Sequence, residues 1–277
     1  MIRFPLLAAL IMHTMITRLA AATPNSIPTG ESIITFSSTP PQADPDEVKA
    51  RLHSIETPPS FDPTKESVTL HLPQSYTPDS PHGLLVWISP TDSPRIPKDW
   101  LDVLARKQMV FAAAARCGNP RNIFDRIRMA VTINTEIRKK LNIDGRRVYV
   151  AGFSGGGRVA SMLGVAWADM FSGSLPFMGV NFYTDLPSAD GRKIYAPQYI
   201  PDDSVLELAK RATRHVLVTA DQDFNRADTN IVFEKGYRAE GFANVQLLQV
   251  PDIAHKMPSA AWFEKALHLL DTPPPKR

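Results

Sequence analysis

Residues Gly83-Leu84-Leu85-Val86-Trp87-Ile88 form an apolar run without alternation between apolar and polar positions. A strand that faces water on one side alternates with period two, whereas this run suits a strand covered on both faces within a parallel sheet. Parallel neighbours need crossover connections, and the downstream sequence supplies them. Lys98 to Lys107 is amphipathic, Met109 to Ala115 is a short apolar run, and Arg121 to Leu141 places Ile123, Ile127, Ala130, Val131, Ile137 and Leu141 at helical spacing with Asn134 as one polar interruption. Asn142 to Gly145 reads as a turn, Arg147 to Ala151 as a β-branched strand, Gly155 to Phe171 as a helix and Gly173 to Val180 as a strand. Ser204 to Thr213 and Ala227 to Glu240 read as helices, His215 to Thr219 and Val245 to Val250 as strands, and Pro258 to Leu270 as the closing helix. Strands alternating with helices of this length predict an α/β fold: a mostly parallel central sheet with helices on both faces.

The flanks have a different character. Of the 25 prolines in 277 residues, many crowd into positions 23–97 and into the tail. Residues 23–62 are expected to form a Pro-rich, irregular N-terminal extension, 63–271 the α/β domain and 272–277 a Pro-rich tail. Glu66 to Leu72 alternates and ends at Pro73, as a half-buried edge strand would. The first 22 residues read as a secretory signal: Arg3, then the nine-residue apolar run Phe4 to Met12, then Leu19-Ala20-Ala21-Ala22 before Thr23. That run is too short for a membrane span. A secreted or periplasmic protein is therefore expected.

Removing Arg3 and Arg18 with such a leader leaves 29 basic against 28 acidic residues, and no basic stripe argues for nucleic acid. Cys117 is the only cysteine, which excludes an intramolecular disulfide and reads as a small apolar filler.

The chemistry concentrates at Gly152-Phe153-Ser154-Gly155-Gly156. A Gly-x-Ser-x-Gly pattern is weak alone, but here it lies directly between a β-branched strand and a helix rich in small residues. A nucleophile elbow needs this arrangement, because glycines on either side let a strained turn lift the serine hydroxyl above the sheet. Ser154 is the expected nucleophile, and the Gly155 amide at the helix N-terminus is placed to bind a developing oxyanion. A phosphate-binding turn would want a Gly-x-x-x-x-Gly-Lys pattern, which is missing.

Partners for such a serine follow it in the order acid, then histidine. Three histidines follow Ser154. His215 begins a strand at the wrong end of the sheet, His268 lies in the last helix, and His255 sits in a loop just after a strand. His255 is thus the expected base. For the acid, Asp223 is preferred in Ala220-Asp221-Gln222-Asp223, with Asp221 left open and Asp252 third. Acyl transfer by this route requires no metal or cofactor.

These residues resemble the α/β-hydrolase superfamily, and most nearly its secreted polyester depolymerase-like and feruloyl-esterase-like groups. The resemblance runs from about Val68 to Leu270 and rests on Val148 to Gly157, on Ala220 to Asp223, and on His255 with Met257-Pro258. It implies hydrolysis of carboxylic esters, with a small-molecule or polymer-derived ester as substrate. One departure matters. Many relatives follow the strand at 84–88 with a His-Gly turn that donates a second oxyanion-hole amide, whereas this chain reads Ser89-Pro90-Thr91. Pro90 has no N–H, so Thr91 is the expected donor, with Ser89 the alternative, or the hole is one donor short. Two rival readings are a prolyl-oligopeptidase-like peptidase and a hydrolase fold reduced to binding. Residues 178–202, with Phe182, Tyr183, Tyr195 and Tyr199, form either a short cap or an ordinary loop.

Overall fold

The computed structural model describes residues 27–272. The leader expected at 1–22, and the tail from residue 273, lie outside the described residues. Among the described residues there are ten strands: β1 (Gly30–Ile34), β2 (Val68–Leu72), β3 (His82–Ile88), β4 (Met109–Ala114), β5 (Ile143–Phe153), β6 (Gly173–Phe177), β7 (Leu186–Pro187), β8 (Ile194–Tyr195), β9 (Arg214–Ala220) and β10 (Val245–Val250). The helices are α1 (Pro45–Arg51), α2 (Leu101–Arg106), α3 (Ile123–Lys140), α4 (Gly155–Ala166), α5 (Asp203–Ala212), α6 (Arg226–Ile231) and α7 (Ala260–Asp271). A π-helical segment, Val232–Arg238, continues α6.

Eight strands form one sheet in the order β1-β2-β4-β3-β5-β6-β9-β10. The pairs β1–β2 and β2–β4 are antiparallel, and every pair from β4 to β10 is parallel. The small β7–β8 hairpin stands apart.

The period-two geometry of the strands explains why β3 is apolar throughout. Leu84, Val86 and Ile88 enter one core, together with residues of α3 and α4 such as Ile127, Ile133, Val159 and Leu163. Leu85 and Trp87 enter the other, against Val103 and Leu104 of α2 and Phe263 and Leu267 of α7. Removing such a side chain from water stabilises the fold by about 1.5–3 kcal/mol, so a strand with two covered faces holds the sheet centre most tightly. At its start, α3 is capped by Asn122, whose side chain accepts from the Phe124 amide at 2.8 Å; at its end, Arg138, Lys139 and Lys140 oppose the helix dipole. Asn134, the polar interruption, is fully buried and donates to the Met170 carbonyl at 3.0 Å.

Three expectations are corrected. The stretch 23–62 is not irregular over its described part, since it contributes β1 and α1 and puts Ala43 and Val48 into the core. Its prolines begin helices instead of breaking them: Pro41 and Pro45 occupy first-turn positions, where a missing N–H costs nothing. The buried Arg128 guanidinium ties the segment down through the Ala43 carbonyl at 2.7 Å and the Pro59 carbonyl at 2.8 Å. Consequently β2 is not an edge strand; β1 covers it, and Val68, Leu70 and Leu72 are buried. The turn expected at 142–145 is instead the start of β5, with the irregularity displaced into a register shift opposite His82 and Leu84. Among the described residues no helix is long and apolar enough to cross a membrane.

Candidate active site

Ser154 stands between the last residue of β5 and the first of α4, with φ 56° and ψ −119°. A side chain rarely tolerates that backbone, and the neighbours hold it there. The Ser154 amide donates to the Phe177 carbonyl at 2.8 Å, fastening the elbow to β6. A Cβ added at Gly152 would stand 2.7 Å from the Ile88 carbonyl oxygen, and one at Gly156 would overlap that same oxygen. The end of β3 therefore abuts the elbow, and only glycine fits on either side.

His255 brings the other groups to this turn. Its Nε2 lies 2.9 Å from Ser154 Oγ, and its Nδ1 lies 2.7 Å from Asp223 Oδ1. An ionised carboxylate can only accept, so Nδ1 carries the hydrogen and Nε2 of the neutral ring is left to accept from the serine hydroxyl. The ring is packed by Phe153, with centroids 4.9 Å apart, and by Phe224 at 4.2 Å. Its loop is anchored just downstream: Trp100 Nε1 donates to the Pro258 carbonyl at 3.1 Å, and the Ala260 amide donates to Asp99 Oδ2 at 2.9 Å. Trp100 in turn stacks on Phe263 of α7 at 3.7 Å.

The three carboxylates near this loop have different partners. Asp223, whose side chain is fully shielded from solvent, also accepts from the Asn225 amide at 3.1 Å and from Thr219 Oγ1 at 3.3 Å. Asp221 is exposed and accepts from the Asp252 amide at 3.0 Å. Asp252 is itself an exposed turn residue with φ 58°. Of the two other late histidines, His215 is buried against Ser174, whose Oγ lies 2.8 Å from Nδ1, and His268 is exposed on α7.

Ser154, His255, Asp223 and Gly155 thus come together, and Thr91 is differently engaged. Its amide donates to Ser89 Oγ at 3.1 Å, closing the turn after β3. The loop after β4 packs on that turn. The Asn119 amide donates to the Pro90 carbonyl at 3.0 Å, and the Gly118 amide to Asp92 Oδ1 at 3.0 Å. Asn119 also reaches Gly155, a contact without a sequence signal, because an Asn-Pro pair between elements reads as an ordinary turn.

A cavity of about 220 Å³ is lined in part by Arg158, one helical turn beyond Ser154 on α4, and by Asn225, two residues beyond Asp223. Phe182, Leu186, Tyr195 and Val232 supply much of the apolar remainder. Residues 178–202 thus divide between two jobs. Phe182, Tyr183 and Tyr199 are buried in the core, while Phe182 and the partly exposed Tyr195 also face the cavity.

No protein-family model and no curated protein sequence matches the chain. Solved structures do. Esterase 2 of Thermogutta terrifontis, phosphonylated by sarin, superposes with a TM-score of 0.53 over 77% of this chain and 90% of that one, at 15% identity. The S-formylglutathione hydrolase of Staphylococcus aureus gives a TM-score of 0.54 over 88% of this chain and all of that one, at 10% identity. Taken with the strand order and the turn at Ser154, this settles the architecture. The chain has the α/β-hydrolase fold. Est1E from Butyrivibrio proteoclasticus shares it, with a TM-score of 0.50 over 75% of this chain and 93% of that one, at 17% identity. In an α/β-hydrolase fold the C-terminal strand ends form one rim, and β5, β9 and β10 each deliver a member of the Ser154–His255–Asp223 set there.

Proposed function

We propose that this protein is a serine esterase, with Ser154 as nucleophile, His255 as general base and acid, and Asp223 as the group that fixes the imidazole. The observation carrying this reading is the continuous hydrogen-bonded chain from Asp223 through His255 to Ser154, at 2.7 and 2.9 Å. As Ser154 Oγ bonds to the ester carbonyl carbon, its proton passes to His255 Nε2. The carbonyl oxygen becomes an oxyanion facing the Gly155 amide. Collapse of this intermediate breaks the bond to the leaving alkoxide, which takes the proton from His255. Water then repeats the sequence on the acyl-enzyme and releases the acid.

A cavity of this modest size, lined by apolar side chains such as Phe182, Leu186 and Val232 and by polar ones such as Arg158, Gln198 and Asp228, fits a small-molecule or polymer-derived ester with a short acyl chain or a single aromatic group. The decisive comparison is p-nitrophenyl acetate and butyrate against aminoacyl and prolyl p-nitroanilides. Ester hydrolysis abolished in Ser154→Ala is the expected result; cleavage of anilides alone overturns the reading. Secretion rests on the leader at residues 1–22, and it predicts a mature N-terminus at Thr23 in exported protein.

A further inference from the structure

A serine hydrolase usually offers at least two hydrogen-bond donors to the oxyanion. Gly155 can supply one. The turn after β3, from which a second was expected, is occupied with itself: Pro90 has no N–H, and the Thr91 amide donates to Ser89 Oγ. The loop after β4 fills the space on this side of the elbow. Asn119 is exposed, yet its carboxamide lies on the Cα of Gly155, where an added Cβ would overlap Asn119 Oδ1 and stand 2.7 Å from Asn119 Cγ and 2.9 Å from Asn119 Nδ2; a half-turn of the carboxamide about its Cβ–Cγ bond exchanges the oxygen and the nitrogen. The side chain is therefore beside the residue whose amide faces the nascent oxyanion, one position from Ser154.

The carboxamide is also held from behind. The Asn119 amide is fixed to the Pro90 carbonyl at 3.0 Å. Pro120 restricts the Asn119 backbone to extended conformations. The buried Arg126 guanidinium ties the two loops together, donating to the Cys117 carbonyl at 3.0 Å and to the Ser89 carbonyl at 3.1 Å. Among the described residues the Asn119 side chain makes no hydrogen bond, so its N–H groups are uncommitted.

We infer that the Asn119 side-chain amide is the second oxyanion donor of this site, taking the place of a backbone amide after β3. The inference rests on the esterase reading above. It also gives a reason for glycine at position 155, because any larger residue would displace the carboxamide.

Steady-state kinetics on p-nitrophenyl butyrate, with inhibition by a trifluoromethyl ketone analogue, tests this. The analogue adds Ser154 Oγ to its carbonyl carbon, passes the proton to His255 and leaves an oxyanion in the hole. Asn119→Ala and the equal-sized Asn119→Asp, which lacks the N–H donors, are expected to lose about 10²–10³ in kcat, with KM changed less than about threefold. Affinity for the ketone is expected to fall by a similar factor while Tm stays near that of the wild type. Asn119→Asp with kcat within about threefold of wild type overturns the inference. So does a loss confined to KM, or one that leaves ketone affinity unchanged. These results leave the esterase reading standing; activity surviving in Ser154→Ala defeats that reading instead.

Discussion

His255 Nε2 lies 2.9 Å from Ser154 Oγ across 101 residues of chain. The approach depends on β5 and β10 ending at one rim of the sheet, and on Asp223 holding the far nitrogen of the ring at 2.7 Å. Replacing Asp223 by Asn frees the ring to take the wrong tautomer. Asp223→Asn is therefore expected to lower kcat by about 10⁴. Asp221→Asn, which alters only a bond to the Asp252 amide, is expected to lose less than about tenfold. Equal losses in the two variants would contradict the assignment of the acid.

The features legible in the sequence were those with local causes. The double-sided burial of β3 left an unbroken apolar run, and the elbow left glycines where the Ile88 carbonyl approaches. The placement of His255 and Asp223 near Ser154 was readable because both follow strands, although only Asp223, and not Asp221, touches the His255 ring. The less legible features depend on contacts distant in sequence. Residues 30–34 form β1 because β2 offers a free edge, which nothing in their own Pro-rich surroundings announces. The engagement of Thr91 with Ser89, and the approach of Asn119 to Gly155, arise where two loops pack together, and neither loop encodes the other.

The elbow's packing makes a stability prediction. At position 156 a methyl group would overlap the Ile88 carbonyl oxygen, which is backbone and cannot rotate away. Gly156→Ala is expected to destabilise the protein by about 3 kcal/mol. Urea denaturation checks this, and an unchanged midpoint would mean that β3 and the elbow are less tightly apposed.

Cys117 is buried, and desolvation pushes its thiol up to about 11. A thiolate is the reactive form, so the residue should be inert while the protein is folded. Iodoacetamide at pH 8 is expected to alkylate it at least 100-fold more slowly in native than in urea-unfolded protein. Mass spectrometry reads the difference directly.

His215 supplies a pH dependence. Burial lowers its pKa to about 3 from the ordinary histidine value near 6.5. Between those values the unfolded chain binds a proton that the folded chain does not, so stability is full above pH 6.5 and declines as the pH falls toward 3. Relative to His215→Gln, the wild type should lose stability by about 1.4 kcal/mol per pH unit across this window. Parallel stability profiles for the two proteins would show that His215 carries no such linkage.

The most direct test of the central claim is labelling by a fluorophosphonate, followed by peptide mass spectrometry. The wild type is expected to carry one adduct, on Ser154, with Ser154→Ala unlabelled and His255→Ala labelled far more slowly. An adduct on another residue, or equal labelling of Ser154→Ala, would contradict the assignment of Ser154 as the nucleophile.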